Sequence, residues 1–115
     1  MGTSTPAAAL LTRARDRIAS PERWTTKVSA RSAAGRKVSP DSRRAVAWCA
    51  LGAIDAELAR QDGPHRTSWY EIDRVLDRAL LGEIDRSSVM SVNDDLGHAA
   101  ALSLLERAAE IAGAS

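Results

Sequence analysis

Residues 45–54 contain no charged, amide or hydroxyl side chain, and no other stretch of the chain is as long without one. Apolar residues lie on most sides of a helix drawn through this run, which is the pattern of a buried helix. Ser39-Pro40-Asp41 precedes it with a capping residue and a proline, a common start of a helix. We therefore predict a central helix that continues to about Arg60. Gly52 costs about 1 kcal/mol against alanine inside a helix, so we expect another element to approach closely there.

Length and composition favour one soluble globular domain. The chain has 115 residues, of which 44% are hydrophobic and 27% are charged, and such a chain can bury one core without disulfides or metals. We treat residues 1–115 as one domain, with residues 1–5 and 113–115 flexible. One cysteine cannot form an internal disulfide. The sequence has neither a signal-peptide pattern nor a run of roughly 20 apolar residues, which favours a cytoplasmic protein without a membrane partner.

Three further helices and a hairpin complete the predicted fold. The first helix runs from Thr5-Pro6 to about Ala19, the third from the capping box of Ser68 and Glu71 to Gly82, and the last over residues 98–112, closed by Gly113. β-branched and small residues predict two strands, residues 24–31 and 36–38, joined by a turn at Gly35. Residues 83–97 read as a short helical turn and a tight loop. The fold class is mainly α, a single-domain bundle of about four helices with a short β-hairpin inserted between helices 1 and 2.

Charge is distributed unevenly along the chain. Residues 1–44 carry ten Lys/Arg against three Asp/Glu, a net charge of +7, whereas residues 45–115 carry six against twelve, a net charge of −6. Either the two parts neutralise each other in the fold, or a basic face meets nucleic acid or an acidic partner. Lys27, Arg31, Arg36 and Lys37 give the predicted hairpin a basic surface, although a sheet edge protected by charge explains them equally well.

Few residues are candidates for chemistry. Cys49 is the only cysteine, but its apolar neighbours indicate a packed core thiol rather than a nucleophile. His98 follows Asp94 and Asp95, whose carboxylates can hold its ring, and either a general base or an exposed residue at the start of a helix fits this position. His65 lies in a Gly-Pro loop and reads as plain surface. We predict no catalytic residue, with Cys49, His98 and Asp94 as the weak candidates.

Asn93-Asp94-Asp95 offers oxygen ligands, but a hard cation requires about six of them, and the distal glutamate of a calcium loop is absent. Helix capping is the favoured role, and we predict neither a metal nor a cofactor. No phosphate-binding glycine loop, zinc spacing or nucleophile elbow occurs. Trp24 and Trp69 are either packed against the central helix or exposed as anchors for a partner.

Several motifs together resemble a known family. They are Arg23-Trp24-Thr25, Ala30-Arg31 followed by Gly35-Arg36, the segment Trp48-Cys49-Ala50-Leu51-Gly52-Ala53, and Asn93-Asp94 before an alanine- and leucine-rich helix. The family consists of small bacterial and phage proteins of unknown function, and the resemblance covers residues 10–109. The chain has Val92 where the family often has tryptophan, and Gly97-His98 where a threonine is common. The resemblance implies a contact between the Asn-Asp loop, the Arg-Trp-Thr segment and the central helix.

These observations favour a small interaction or regulatory module without enzymatic activity. We expect it to contact a macromolecular partner through its basic hairpin face, the partner being a protein, a second copy of the chain or, with less support, nucleic acid. The predicted binding residues are Arg23, Trp24, Lys27, Arg31, Arg36, Lys37, Asn93 and Asp94. Two alternatives are a thiol- or acid/base-dependent enzyme that uses Cys49 with His98 or Asp94, and a homodimeric structural helical domain.

Overall fold

The computed structural model describes residues 5–64, 66–80 and 86–114, with the backbone alone for residues 86–88. The predictions for His65, for Gly82 as a helix end and for flexible residues 1–4 and 115 lie outside the described residues. The elements of the described part are α1 (Pro6–Arg17), β1 (Ala30–Ser32), β2 (Ala45–Trp48), α2 (Ala50–Ala59), α3 (Trp69–Ala79), α4 (Arg86–Ser91) and α5 (His98–Ala114). A 3₁₀ turn (Pro21–Arg23) follows α1, and a π-helical turn (Val92–Leu96) follows α4. The mainly α class is confirmed, with five helices where the sequence predicts about four.

The first helix begins and ends close to the predicted positions. Oγ1 of Thr5 accepts a hydrogen bond from the backbone N–H of Ala8 at 3.0 Å. Pro6 occupies the first helical position, where a missing N–H costs nothing. The helix stops before Ser20-Pro21, because the residue before a proline is driven out of the helical region. Local sequence signals therefore determine both ends of α1.

The core lies between the helices. α1 packs along α5 and against α2, and α5 also packs on α3. The largest fully buried side chains come from these elements and from the segments beside them: Leu10, Leu11, Ile18, Ile54, Ile72, Val89, Asn93 and Leu105. Burial of each aliphatic side chain stabilises the fold by about 1.5–3 kcal/mol. The α1–α5 pair, and not the predicted central helix, is thus the centre of packing.

The predicted central helix is wrong in its first half. Residues Ala45–Trp48 form strand β2, and α2 starts only at Ala50. A short apolar run is compatible with either a strand or a helix, and here an antiparallel ladder to β1 selects the strand. Ser39-Pro40-Asp41 is a loop and not a helix start, and Oγ of Ser39 donates to Oδ1 of Asp41 at 2.6 Å.

The predicted hairpin is confirmed in its turn and corrected in its pairing. Gly35 has a φ of +81°, a conformation that glycine adopts without steric cost. The chain returns from this turn along β1 with one antiparallel bridge, between Arg31 and Lys37. The main partner of β1 is nevertheless β2 and not residues 36–38. β1 therefore lies between a short returning segment and the strand that leads into α2.

The close approach predicted at Gly52 is confirmed. A Cβ atom on this glycine would overlap the carbonyl oxygen of Ser29. The same oxygen accepts a hydrogen bond from the backbone N–H of Cys49 at 3.1 Å. The residues that precede β1 thus lie across the first turn of α2, and only a residue without a side chain fits beneath them.

The C-terminal half follows the predicted order of elements. Oγ of Ser68 caps α3 by accepting from the N–H of Glu71 at 3.5 Å. The short helical turn predicted between residues 83 and 97 is α4, but a π-helical turn replaces the tight loop. α5 continues to Ala114, so Gly113 does not close it.

Within the described part of the chain, none of the helices combines the length and the apolar character of a membrane span.

Ion pairs join α1 to the acidic half of the chain. Arg13 and Arg17 both bind the carboxylate of Glu57 in α2, with an N···O distance of 3.1 Å for Arg13. Arg15 pairs with Glu106 in α5 at 2.7 Å. The arginines of α1 are therefore neutralised inside the fold, as the first interpretation of the charge asymmetry expects.

Candidate functional site

A buried asparagine holds together three segments that are distant in sequence. Asn93 lies in the π-helical turn and is 1% exposed. Its Oδ1 accepts from the indole Nε1 of Trp24 at 2.7 Å and from the backbone N–H of Ala50 at 3.0 Å. Its Nδ2 donates to the carbonyl oxygen of Thr25 at 3.1 Å and to Oδ1 of Asp94 at 2.9 Å. The contact implied by the family resemblance is confirmed, and we call these five residues the Asn93 clasp.

The position of Asn93 in a π-helical turn is informative, because such turns are rare and frequently occur at functional sites. A side-chain amide has two donor and two acceptor positions, and the Asn93 amide uses all four on groups of the clasp. The sequence predicts that Asn93-Asp94-Asp95 caps a helix. Asn93 does cap one, but the helix is α2, which precedes it by more than 40 residues.

The next residue, Asp94, fixes the backbone of Lys27. Its Oδ1 accepts from the backbone N–H of Lys27 at 3.1 Å. Lys27 has a φ of +70° and is the one non-glycine residue with a positive φ among the described residues. A side chain in this region costs roughly 1–2 kcal/mol. Such a conformation persists only where neighbouring contacts hold it, and the bond from Asp94 is one of them.

Cys49 caps α2 with its sulfur atom. It is 6% exposed, and its Sγ accepts from the N–H of Gly52 at 3.3 Å. Burial raises the pKa of the thiol, and the backbone N–H groups of Gly52 and Leu51 oppose this shift only in part. A buried, protonated thiol is a poor nucleophile. The geometry thus favours a packing and capping role for Cys49.

Beside the clasp, an open pocket of about 160 Å³ is lined by residues from several segments. Its polar lining residues are Lys27, Ser29, Lys37, Cys49 and Asp94, and its apolar lining residues are Val28, Leu51 and Met90. We call it the lysine pocket, because the sequence contains no lysine besides the two that line it. The fold thus brings Lys27, Lys37 and Asp94 from the predicted binding set to one place.

The other predicted basic residues have different surroundings. The guanidinium of Arg31 donates to Oγ1 of Thr25 at 2.8 Å and to the carbonyl oxygen of Gly35 at 3.1 Å, so this side chain fixes the loop and the turn beside it. The guanidinium of Arg23 lies 5.8 Å from the centroid of the Trp48 ring. Arg36 is exposed next to the turn. Arg31 therefore belongs to the scaffold, whereas Arg36 belongs to the surface.

Of the three weak catalytic candidates, Cys49 and Asp94 both line the lysine pocket, whereas His98 lies against the end of α1. Nε2 of His98 lies 2.6 Å from the carbonyl oxygen of Ile18, and its ring centroid is 5.2 Å from that of Trp24. Among the described residues, no hydrogen bond joins this histidine to Cys49 or Asp94. The hydrogen bonds of the described residues thus place no general base on the Cys49 thiol, whose Sγ instead accepts from the N–H of Gly52. His98 instead packs the start of α5 against the end of α1.

Other possible sites among the described residues have weaker support than the lysine pocket. No group of three or more His, Cys, Asp or Glu in this part of the chain lies close enough together to hold a metal ion. The indole of Trp69 donates to Oδ1 of Asp55 at 3.3 Å. An open depression of about 480 Å³ lies beside α3, with Thr5, Tyr70 and Ala112 in its wall, and none of the predicted binding residues lines it. The lysine pocket is thus the place where predicted site residues converge.

Sequence reasoning misses part of this pocket. It assigns Val28 and Ser29 to a strand and Leu51 to a helix face, and it leaves Met90 in a poorly defined segment. The left-handed backbone of Lys27 has no sequence signal, because glycine or asparagine normally marks such positions. The one available signal is Met90, since exposed methionines are common on surfaces that bind other molecules.

Comparison of the chain with curated proteins and with solved structures finds no match. A family model matches residues 2–111, a range that includes the Asn93 clasp and the lysine pocket. The description of that family assigns it no activity. This match agrees with the resemblance to a family of unknown function described above. The chain belongs to the family of unknown function DUF6197.

Proposed function

We propose that this protein is an interaction module that binds an acidic surface of a partner protein. The contact is made by five exposed residues between α1 and α2, which we call the basic surface: Lys27, Arg36, Lys37, Arg43 and Arg44. The setting is the cytoplasm of a bacterium, with the protein of bacterial or phage origin, as the sequence and the family resemblance lead us to expect.

The observation that carries the proposal is that the basic residues of the N-terminal part fall into two groups, one with acidic partners in the fold and one without. The three arginines of α1 pair with Glu57 and Glu106 of the acidic half. In the described part of the chain, no carboxylate lies within ion-pair distance of the basic surface. Unpaired like charges repel one another and raise the rate at which an anionic partner associates. The basic surface therefore favours an acidic partner.

The surroundings of the basic surface favour a protein over nucleic acid. Val46 and Met90 are exposed apolar residues; Met90 lines one pocket with Lys27 and Lys37, and Val46 follows Arg44 by two residues. A protein interface combines an apolar centre with a charged rim. The indole of Trp24 is held by Asn93, and Trp48 is buried. The Trp24 ring is only partly exposed and packs beside His98. Both rings therefore offer little surface for the base stacking that supplies much of the affinity for single-stranded nucleic acid.

The proposal is tested by capture of partners from a bacterial lysate, followed by measurement of the dissociation constant with the purified partner. The test variant neutralises four residues of the basic surface: Arg36→Gln, Lys37→Gln, Arg43→Gln and Arg44→Gln. We expect it to weaken binding at least about tenfold at low salt, with the difference shrinking as salt increases, because exposed charges are screened.

A matched control removes the same charge from another exposed set: Arg60→Gln, Arg66→Gln, Arg74→Gln and Arg78→Gln. This variant should bind the partner with little change. Equal binding by the wild type and both variants would contradict the proposal. Loss of capture after nuclease treatment would instead assign the basic surface to nucleic acid, and capture of the chain's own second copy would favour the homodimer alternative.

A further inference from the structure

Both lysines of the chain line the same small pocket. Sixteen residues are Lys or Arg, and only Lys27 and Lys37 are lysines. Lysine carries a compact charge on a flexible stem, whereas the guanidinium of arginine is a rigid planar fork. The volume of about 160 Å³ is close to that of a cavity that holds benzene. The lysine pocket thus has room for one side chain or one chain end, with two compact cations among its lining residues.

The backbone of Lys27 gives a second, independent indication. Glycine or asparagine adopts a φ near +70° at lower cost than lysine does. The fold nevertheless holds a lysine in this conformation through the carboxylate of Asp94. Strain of this kind clusters at sites of function. We therefore attribute a role in binding to the side chain of Lys27 and not only to its backbone conformation.

The charges and the apolar wall together define what fits. Asp94 is the carboxylate in the wall, and its Oδ1 already accepts from the N–H of Lys27 and from the amide of Asn93. Cys49 is uncharged, since burial raises the pKa of its thiol. Two ammonium groups against one carboxylate leave the lining with a net positive charge. Leu51 and Met90 offer an apolar wall beside it, so an anion attached to an apolar body is the complementary ligand.

We propose that the lysine pocket binds the C-terminal residue of the partner, with its carboxylate between Lys27 and Lys37 and its apolar side chain against Leu51 and Met90. A chain end joins a carboxylate and a side chain at one carbon atom, which matches a small pocket lined by both cationic and apolar groups. This inference rests on the proposed function, because it places the end of the acidic partner within the basic surface.

The test uses acetylated six-residue peptides of aspartate and glutamate that end in leucine, one with a free carboxylate and one amidated. Binding is followed by backbone amide shifts of the full chain. We expect the free acid to shift the signals of Lys27, Ser29 and Leu51, and amidation to weaken its binding at least about tenfold. A third peptide, amidated and ending in glutamate, presents a side-chain carboxylate instead and should bind as weakly as the amidated leucine peptide.

Lys27→Gly removes the side chain at a backbone position that glycine accepts, so the variant should fold normally and lose the difference between acid and amide. Lys37→Gln should reduce the same difference. The paired change of Arg43→Gln and Arg44→Gln lies outside the pocket and should weaken both leucine peptides equally. Equal binding of acid and amide to the wild type, no binding of either at millimolar concentration, or tight binding of the glutamate peptide would overturn the inference. The capture experiment judges the proposed function separately, since it needs no particular chain end.

Discussion

At the scale of single residues, the Asn93 amide carries the arrangement of the site. Its four hydrogen bonds join it to the Trp24 indole, the first amide of α2, the Thr25 carbonyl and the Asp94 carboxylate. A carboxylate in place of the amide cannot donate, and an aliphatic side chain can neither donate nor accept. Asparagine is therefore the residue type that the clasp requires.

Replacement of Asn93 by alanine should lower the free energy of unfolding by at least about 2 kcal/mol, because buried donors and acceptors are left without partners. Chemical denaturation measures this change. Asp95→Ala, at an exposed position of the same turn, should change stability by less than about 0.5 kcal/mol. A loss below about 1 kcal/mol for Asn93→Ala would show that the clasp does not hold the three segments together.

Cys49 should resist alkylation in the folded protein. Burial raises the pKa of its thiol, so at mildly alkaline pH the folded chain keeps a proton that the unfolded chain has lost. The contribution of this thiol to the free energy of unfolding therefore does not vary with pH below its unperturbed pKa of about 8.5. It falls as the pH rises through and above that value, because the unfolded chain releases the proton first. Labelling with iodoacetamide at pH 8 should therefore be slow until denaturant is added. Native labelling as fast as that of a free cysteine would restore the reactive-thiol alternative.

Only part of this chemistry is readable from single residues in the sequence. The apolar neighbours of Cys49 predict its burial, and the motifs Asn93-Asp94 and Arg23-Trp24-Thr25 group residues that do meet. The conformation of Lys27 is not predictable, because it depends on a hydrogen bond that its backbone N–H donates to a carboxylate 67 residues away. The inward position of Arg31 is likewise a consequence of the loop that folds around it.

At the scale of elements, the packing of the segment before β1 on α2 depends on Gly52. Alanine would favour the helix by about 1 kcal/mol on propensity alone. Its Cβ would nevertheless overlap the backbone of Ser29, and backbone cannot move aside as a flexible side chain can. We expect Gly52→Ala to destabilise the protein by about 1–3 kcal/mol, the usual range for overpacking, as measured by thermal or chemical unfolding.

Gly113 provides the matched control for this prediction. It also lies in a helix, but a Cβ there would meet the Cβ of Ala8 at an ordinary 3.8 Å. Gly113→Ala should therefore leave stability unchanged or raise it by up to about 1 kcal/mol. If both substitutions stabilised the protein, the close approach of the Ser29 segment to α2 would be incorrect.

The connection between α1 and α2 depends on Glu57. In its pair with Arg17 the two side chains are only 10% and 9% exposed. Removal of one member of a buried pair leaves the other charge uncompensated. Glu57→Ala should thus lower the unfolding free energy by about 3–5 kcal/mol. Glu106→Ala breaks a solvent-exposed pair with Arg15 and should cost less than about 1 kcal/mol. Equal effects of the two substitutions would argue against a buried link between the helices.

The elements that local signals define are predictable from the sequence, and those that pairing defines are not. Thr5-Pro6 and Ser68 begin helices as predicted because the capping oxygen and the backbone N–H that donates to it are close in sequence. Residues Ala45–Trp48 are apolar enough for either a helix or a strand. Their strand conformation follows from antiparallel pairing with β1, for which the sequence pattern predicts residues 36–38 as the partner. The boundary at Cys49 is marked by a sulfur cap, which is not a common helix start.

At the scale of the whole molecule, the asymmetry between a net +7 and a net −6 has two outcomes in one fold. The basic residues of α1 are neutralised by the acidic half, whereas the basic surface between α1 and α2 has no acidic partner in the described residues. The order of charges along the sequence predicts the asymmetry. It does not predict which basic residues are paired and which are exposed, because only the fold determines which charges meet. The mainly α class and the single inserted β unit are predictable at this scale.

The most direct test of the proposed interaction is zero-length crosslinking of the captured complex with a carbodiimide, which joins lysine amines to carboxylates. Lys27 and Lys37 are the only lysines of the chain, so each crosslink from a side-chain amine of this protein reports the lysine pocket. We expect bonds from Lys27 and Lys37 to aspartate, glutamate or the C-terminus of the partner, lost in high salt. Crosslinks that join only lysines of the partner to carboxylates of this chain, with none at Lys27 or Lys37, would contradict it.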